Sequence, residues 1–140
     1  MSRLKKQHLE KSGLELAREC ARIALDTKAE DLVILEVRGL TSFSDYFVIM
    51  SGRSTRHVQG LAEAIGEELS AKRISSNNCE GLKEGLWVLI DYNDVIVHIF
   101  YKETRDFYDL DGLWHDAPRI APDAAAAEQK RATGRRSKKQ

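Results

Sequence analysis

The chain is poor in cysteine, which excludes a disulfide scaffold. Only Cys20 and Cys79 occur in 140 residues. Their spacing fits no disulfide framework, and neither has the neighbouring ligands of a zinc site. One lies in a predicted helix and the other near a predicted turn. We therefore expect two reduced thiols in a cytoplasmic protein.

Long apolar runs are also absent. No stretch approaches the roughly 18 residues that cross a membrane as a helix, and the opening MSRLKKQHLEKSG lacks the apolar core of a secretory signal. We expect a soluble, cytoplasmic protein. Its 140 residues suit one domain that folds without disulfide bonds or structural metal ions.

The chain has no net charge, but the charge is unevenly distributed. The 22 basic and 22 acidic side chains leave residues 121–140 with +4 and residues 1–120 with −4. An acidic body disfavours direct binding of nucleic acid by the folded part. We predict a folded domain over residues 1–120 and a basic, disordered tail over residues 121–140.

Motifs for catalysis and metal binding are missing as well. The four histidines show neither i, i+4 pairing nor HExxH, and the sequence contains no GxSxG and no GxxxxGK[ST]. No Asp-x-Asp pair lies on a predicted strand after the Ser51-Gly52 turn, as a two-metal site would require. We predict no catalysis, no metal and no cofactor.

One turn keeps an alternative open. The segment 51–57, SGRSTRH, opens a helix with a glycine, two arginines and a histidine, which favours an anion such as phosphate. A plain helix start capped by Ser54 explains the same residues. The second hypothesis for function is therefore a nucleotidyltransferase-like enzyme that binds a nucleotide at this turn.

Hydrophobic periodicity predicts a series of helices and strands. Ser12 and Glu15 resemble a capping box, and Val58, Leu61, Ala62, Ile65 and Leu69 form an apolar stripe at helical spacing. We predict that Pro118 and Pro122 end regular structure. The predicted elements are a helix over 13–26, strands over 32–37 and 45–50, a helix over 55–72, a short strand around Cys79, strands over 87–92 and 95–101, and a helix containing Phe107, Leu110, Leu113 and Trp114.

This order, α-β-β-α-(β)-β-β-α, predicts a single α/β domain. The strand–helix–strand passage through residues 46–92 indicates a parallel crossover, while the hairpins indicate antiparallel pairs. We expect a mixed sheet of four or five strands with helices packed on it.

Aromatic residues concentrate in the segment Gly85–Trp114. It holds both tryptophans, three of the four tyrosines and two of the four phenylalanines. The two-residue connection Asn93-Asp94 favours a tight hairpin, because asparagine tolerates positive φ. The segment reads as a hairpin followed by a short helix that holds it in place.

Strand alternation divides this hairpin into two faces. One face is continuously apolar and suits the underside of the helices. The other mixes large apolar groups with a carboxylate and an imidazole, which is typical of a protein-binding hot spot. In the alternative interpretation, a second layer or a dimer mate covers this face and His98 is an interior histidine. The first face comprises Val88, Ile90, Tyr92, Val95, Val97, Ile99 and Tyr101; the second comprises Trp87, Leu89, Asp91, Ile96, His98 and Phe100.

Long contiguous motifs then resemble a known family. They are DLVILEV, SDYFVIMSGxSxRHV, WVLIDYxDVIVHIF and RxFYxLxxLW, in that order over about residues 17–117. This pattern is similar to that of the iojap-like ribosomal silencing factors. One departure is Asn93, where the family typically has glycine, and asparagine adopts the same left-handed backbone.

The resemblance implies a fold and a role. The fold would be related to nucleotidyltransferases but without their catalytic carboxylates. The protein would bind protein fourteen of the large ribosomal subunit, block joining of the subunits and lower translation when nutrients are scarce. Some members also assist maturation of the large subunit, and members can form homodimers. Matching the family's hairpin motif places partner contacts at Trp87, Asp91, Tyr92, His98 and Phe100.

Overall fold

The computed structural model describes the backbone of residues 2–122 and the side chains of residues 13–122. Beyond its first two residues, the predicted basic tail lies outside the described part. The elements in chain order are α1 (Ser2–Asp26), β1 (Glu30–Glu36), β2 (Tyr46–Gly52), α2 (Thr55–Ala71), β3 (Asn78–Glu80), β4 (Trp87–Asp91), β5 (Val95–Tyr101), α3 (Lys102–Tyr108), α4 (Leu110–Leu113) and β6 (Arg119–Ile120).

The strands form one mixed sheet in the order β3-β4-β5-β2-β1-β6. Strands β2 and β5 pair in parallel, and the other neighbours are antiparallel. The predicted α/β class is confirmed, with six strands in place of four or five. The expectation that Pro118 ends regular structure is wrong, because Arg119 and Ile120 pair with Leu35 and Ile34.

The parallel crossover differs from its predicted form. Helix α2 leads from β2 to β3, which runs in the same direction as β2 but lies at the sheet edge. Strand β4 then runs antiparallel to β2. Strand β5 returns beside β2 and becomes its parallel neighbour. The aromatic hairpin of β4 and β5 therefore lies between the short edge strand β3 and the central strand β2.

Helices α1 and α2 pack on one face of this sheet. The predicted stripe of α2 is buried in full, and the Ser54 hydroxyl caps the helix by accepting from the His57 backbone N–H at 3.0 Å. Helix α1 begins at Ser2, so the predicted start after Ser12 is wrong. Alanine and larger apolar positions at helical spacing in this helix favour a buried face that includes Leu25, but Leu25 is 45% exposed, and Cys20 and Ile23 are buried instead.

The tight hairpin predicted from Asn93-Asp94 is confirmed, with the register that a two-residue connection gives. Val88 pairs with Ile99 and Ile90 with Val97, and the Tyr92 N–H donates to the Val95 carbonyl at 2.9 Å. Asn93 adopts a φ of +72°, as the tight turn requires.

The predicted third helix is broken into α3 and α4. Asp109 adopts a left-handed φ of +48°, and its carboxylate caps α4 by accepting from the Gly112 N–H. Leu110 packs against the sheet, as does Trp114 just beyond α4. Phe107 and Leu113 are exposed, so the predicted packing is wrong for both of them.

Within residues 2–122, the structure contains no helix that is long and apolar enough to cross a membrane.

Candidate protein-binding surface on the aromatic hairpin

The second face of the sheet is less fully covered than the face under α1 and α2. Its buried cluster includes Phe47, Ile96 and Phe100, and Trp87, Leu89 and Trp114 pack partly exposed against it. Among the described residues, the short segment from α3 to Ala117 covers part of this face. Strand alternation therefore separates the hairpin as predicted, with aromatic groups left at the surface.

Trp87 is a partly exposed tryptophan on the hairpin side of this face. Its indole stacks on Phe100, with ring centroids 4.9 Å apart and planes inclined by 27°, and it contacts Tyr108 at 5.0 Å. Phe100 is fully buried beneath it. A partly exposed tryptophan held on a buried ring is suited to anchor a partner, since little side-chain entropy remains to be lost on binding.

His98 lies next to this anchor and is 5% exposed. The Trp87 indole N–H donates to His98 Nδ1 at 3.2 Å, so Nε2 carries the proton of the neutral imidazole. Within the described residues, Nε2 has no hydrogen-bond partner, and the Phe47 ring lies edge-on at 5.0 Å. Burial lowers the pKa of His98 to about 4. The imidazole is therefore neutral near pH 7.

This burial predicts a specific loss of stability in acid. The unfolded chain takes up the His98 proton near pH 6.5 and the folded chain near pH 4, so stability falls as the pH falls between those values. We expect about 2 kcal/mol of this loss between about pH 7.5 and pH 5. Urea unfolding at both pH values should show a smaller drop for His98→Gln. In His115→Gln, which alters an exposed imidazole, the drop should persist; equal drops in wild type and His98→Gln would contradict the prediction.

Asp91 lies on the same face as Trp87, about 13 Å farther along β4. One carboxylate oxygen accepts from the Asn93 N–H at 2.8 Å and stabilises the turn. The side chain is partly exposed at the rim of the face.

Tyr92 points the other way. It is 7% exposed and belongs to the core between the sheet and helices α1 and α2. The structure thus brings together four of the five predicted contact residues, Trp87, Asp91, His98 and Phe100, with Phe100 as a buried support. It does not bring Tyr92 to them.

Sequence reasoning missed two exposed rings that extend this face. Phe43 stacks near Phe47, with centroids 6.1 Å apart, and Tyr108 contacts Trp87. Both are more than half exposed. Phe43 lies in an irregular connection and Tyr108 ends a short helix, so neither belongs to a readable periodicity. We define the aromatic surface as Phe43, Trp87, Leu89, Asp91 and Tyr108, with His98 buried directly beneath it.

The histidine of the Ser51–His57 turn serves the local structure. The Arg53 N–H donates to His57 Nδ1 at 3.0 Å, and His57 Nε2 bonds the Thr27 carbonyl at 2.9 Å. A Cβ on Gly52 would lie 2.8 Å from the Val58 side chain, so this glycine serves close packing of β2 against α2. The geometry supports the plain helix start.

A polar cavity of about 370 Å³ lies beside the same turn, but its charge is unfavourable for a nucleotide. Two cations and four carboxylates line it with Ser51, and Arg105 already binds Asp111. Phosphate would meet an excess of negative charge. Within the described residues, no group of three or more His, Cys, Asp or Glu side chains could hold a metal ion. The full lining is Asp31, Ser51, Lys102, Arg105, Asp106, Asp109 and Asp111.

Comparison with known proteins agrees with the resemblance seen in the motifs. A family model described as ribosomal silencing factor during starvation matches residues 10–140. The protein named ribosomal silencing factor RsfS of Bacillus subtilis (strain 168) is 39% identical over 109 residues, which are 78% of this chain and 90% of that protein. The chloroplastic protein Iojap of Arabidopsis thaliana is 29% identical over 108 residues, 77% of this chain and 45% of that protein.

The fold is also similar to that of solved structures. A crystal structure of a protein from Chromobacterium violaceum matches with a TM-score of 0.70 and 32% sequence identity. The match covers 72% of this chain and 84% of that one.

Proposed function

This chain belongs to the ribosomal silencing factor family, and from this premise we propose that it binds protein fourteen of the large ribosomal subunit through the aromatic surface. Occupying that site blocks the small subunit sterically and lowers translation when nutrients are scarce. The protein acts in the cytoplasm and needs no cofactor. The observation that carries the proposal is Trp87, partly exposed and stacked on the buried Phe100.

The physical requirements of a steric block match this surface. Blocking needs no turnover, only a durable interface of roughly 800 Å² on each partner. Aromatic anchors beside polar groups supply that kind of affinity. A partner embedded in ribosomal RNA is expected to be basic, and the charge of −4 on residues 1–120 complements it.

The proposal is tested by sedimentation of purified ribosomal subunits at a magnesium concentration that favours joining. Wild-type protein should keep the subunits apart. Trp87→Ala should weaken binding to the large subunit by about 2 kcal/mol, roughly thirtyfold, because it removes the anchor. Leu25→Ala is the matched control, since Leu25 is an exposed apolar side chain on the helical layer. Full subunit joining at saturating wild-type protein would refute the proposal.

Two other functions give different results in parallel measurements. If the aromatic surface serves only a homodimer, Trp87→Ala should convert a dimer to a monomer in solution, and the wild type should leave subunits unaffected. If the protein is a nucleotide-binding enzyme, calorimetric titration with a nucleoside triphosphate and magnesium should release heat. Binding of the large subunit with a silent titration is the expected outcome.

A further inference from the structure

The segment Lys102–Asp116, which contains α3 and α4, exposes three large apolar side chains to solvent. Phe107, Tyr108 and Leu113 are 81%, 55% and 73% exposed. Phe107 and Tyr108 meet edge to face, with centroids 5.1 Å apart and planes inclined by 86°. Contiguous exposed apolar groups such as these two rings mark interaction sites on soluble proteins.

Arg105 holds this segment in a fixed position. Its side chain is 11% exposed and binds both carboxylate oxygens of Asp111, at 3.0 and 2.9 Å. It also donates to the Ser51 hydroxyl at 2.9 Å and to the Asp31 carbonyl at 2.7 Å. The exposed rings are therefore presented by a segment that is tied to β1 and β2. A preordered surface loses less entropy when it binds.

The same segment is strongly acidic. It carries five carboxylates against two cations, a formal charge of −3 with His115 neutral. Asp111 and Arg105 neutralise each other, and the remaining charges are exposed. These are Lys102 and the four carboxylates of Glu103, Asp106, Asp109 and Asp116.

We propose that this acidic aromatic segment is a second half of the docking surface and receives a basic protein surface that lays arginine or lysine side chains against Phe107 and Tyr108. Tyr108 contacts Trp87, so the segment is continuous with the aromatic surface. The inference rests on the proposed function and deepens it, because it specifies the chemistry of the partner. A cation that lies above an aromatic ring and beside carboxylates is stabilised by cation–π attraction and by Coulomb attraction.

Charge decides between the candidate occupants. RNA would bring phosphates against a segment with three excess negative charges. If a second copy of the chain bound through the same segment, it would bring three more excess negative charges to the contact. A basic protein surface gains Coulomb energy in the same position. The negative charge of the segment therefore favours a basic protein surface over RNA and over a second copy of this chain.

The experiment measures binding of purified large ribosomal subunit to immobilised full-length protein from about 50 to 300 mM salt, where charge screening changes strongly. Phe107→Ala should weaken binding about tenfold at every salt concentration, because it removes a ring and no charge. The double variant Glu103→Gln/Asp106→Asn should weaken binding several-fold at low salt and flatten the salt dependence. Glu63→Gln/Glu67→Gln, a matched pair of exposed carboxylates on α2, should bind like wild type.

The outcomes separate this inference from the proposed function. If Trp87→Ala weakens binding while Phe107→Ala and the Glu103/Asp106 variant bind like wild type, the second surface is refuted and the proposed function stands. If wild-type protein does not bind the large subunit, both fail. If Phe107→Ala instead converts a dimer to a monomer without weakening subunit binding, the occupant is a second copy and the inference is refuted. Circular dichroism should show that the Phe107, Glu103/Asp106 and Glu63/Glu67 variants retain the wild-type fold, since these side chains are exposed.

Discussion

Gly81→Ala should lower the free energy of unfolding by about 3 kcal/mol or more. Gly81 has a left-handed φ of +84°, and a Cβ there would lie 2.0 Å from the Trp87 carbonyl oxygen. That oxygen belongs to the main chain at the start of β4, so no side-chain rotation relieves the clash. The turn must open, and its opening moves the strand that carries the Trp87 indole.

The local bonding explains why the damage reaches the aromatic surface. The Gly85 N–H donates to the Gly81 carbonyl at 3.0 Å, and the Gln59 amide group donates to the carbonyls of Leu82 and Lys83. The loop before β4 is therefore fixed to helix α2. We expect Gly81→Ala to shift the tryptophan emission to longer wavelength as well as to lower the urea midpoint.

A second glycine provides a matched control with the opposite sign. Gly60 lies inside α2, and an added Cβ would meet nothing within 4 Å. Gly60→Ala should raise the free energy of unfolding by about 0.5–1 kcal/mol, because alanine favours the helix and restricts the unfolded chain. Equal stability for Gly81→Ala and Gly60→Ala would contradict the steric explanation.

Local patterns in the sequence were sufficient for the centre of the fold. The α2 stripe follows from helical spacing, and the register of β4 and β5 follows from a two-residue turn between alternating strands. Asn93 at φ +72° is the residue type that such a turn favours. These predictions need only neighbours along the chain, and all three are confirmed.

Elements fixed by distant contacts could not be predicted in this way. Strand β6 has two residues, and Ile120 pairs with Ile34 far back in the sequence. The break at Asp109 lies between Arg105 and Asp111, which bond each other, and Arg105 also bonds the distant Asp31 and Ser51. A two-residue strand and a single left-handed aspartate leave no periodic signal, so the sequence indicated one continuous helix and no strand after Pro118.

The same distinction applies to the candidate site. Trp87, Asp91, His98 and Phe100 lie on one face because alternate residues of a strand point to the same side of a sheet, and the two strands are paired. Tyr92 was included only because it falls within the matching motif, and its parity places it on the opposite face. Contact between these residues and a ribosomal protein is a prediction that the binding measurements test.

Arg105 is the residue whose loss should most disturb the α3–α4 segment. Its guanidinium makes four hydrogen bonds to three groups that are far apart in the sequence. Arg105→Met keeps an unbranched apolar stem but removes the guanidinium, which leaves Asp111 a partly buried carboxylate without its cation. We expect a loss of about 3 kcal/mol in the free energy of unfolding, measured with urea near pH 7.

A double-mutant cycle separates the ion pair from packing. Arg105→Met/Asp111→Asn should recover part of the loss, because a neutral amide tolerates the missing cation better than a carboxylate does. Arg105→Lys should fall between wild type and Arg105→Met, since an ammonium group keeps the charge but cannot bind both oxygens in the same planar geometry. Additive losses in the cycle would show that the two side chains act independently.

The pH dependence of Arg105→Met provides an independent test of the same interaction. In the wild type, the Arg105 guanidinium lowers the pKa of Asp111 below its usual value of 3.8. The pair therefore stabilises the fold above the unfolded pKa, and this contribution is lost as the pH falls through the folded pKa. Arg105→Met should lie furthest below wild type near neutral pH, and the difference should narrow towards about pH 3. If the difference stays constant over this range, the guanidinium acts through packing and neutral hydrogen bonds, and the ion pair with Asp111 does not hold α4 in place.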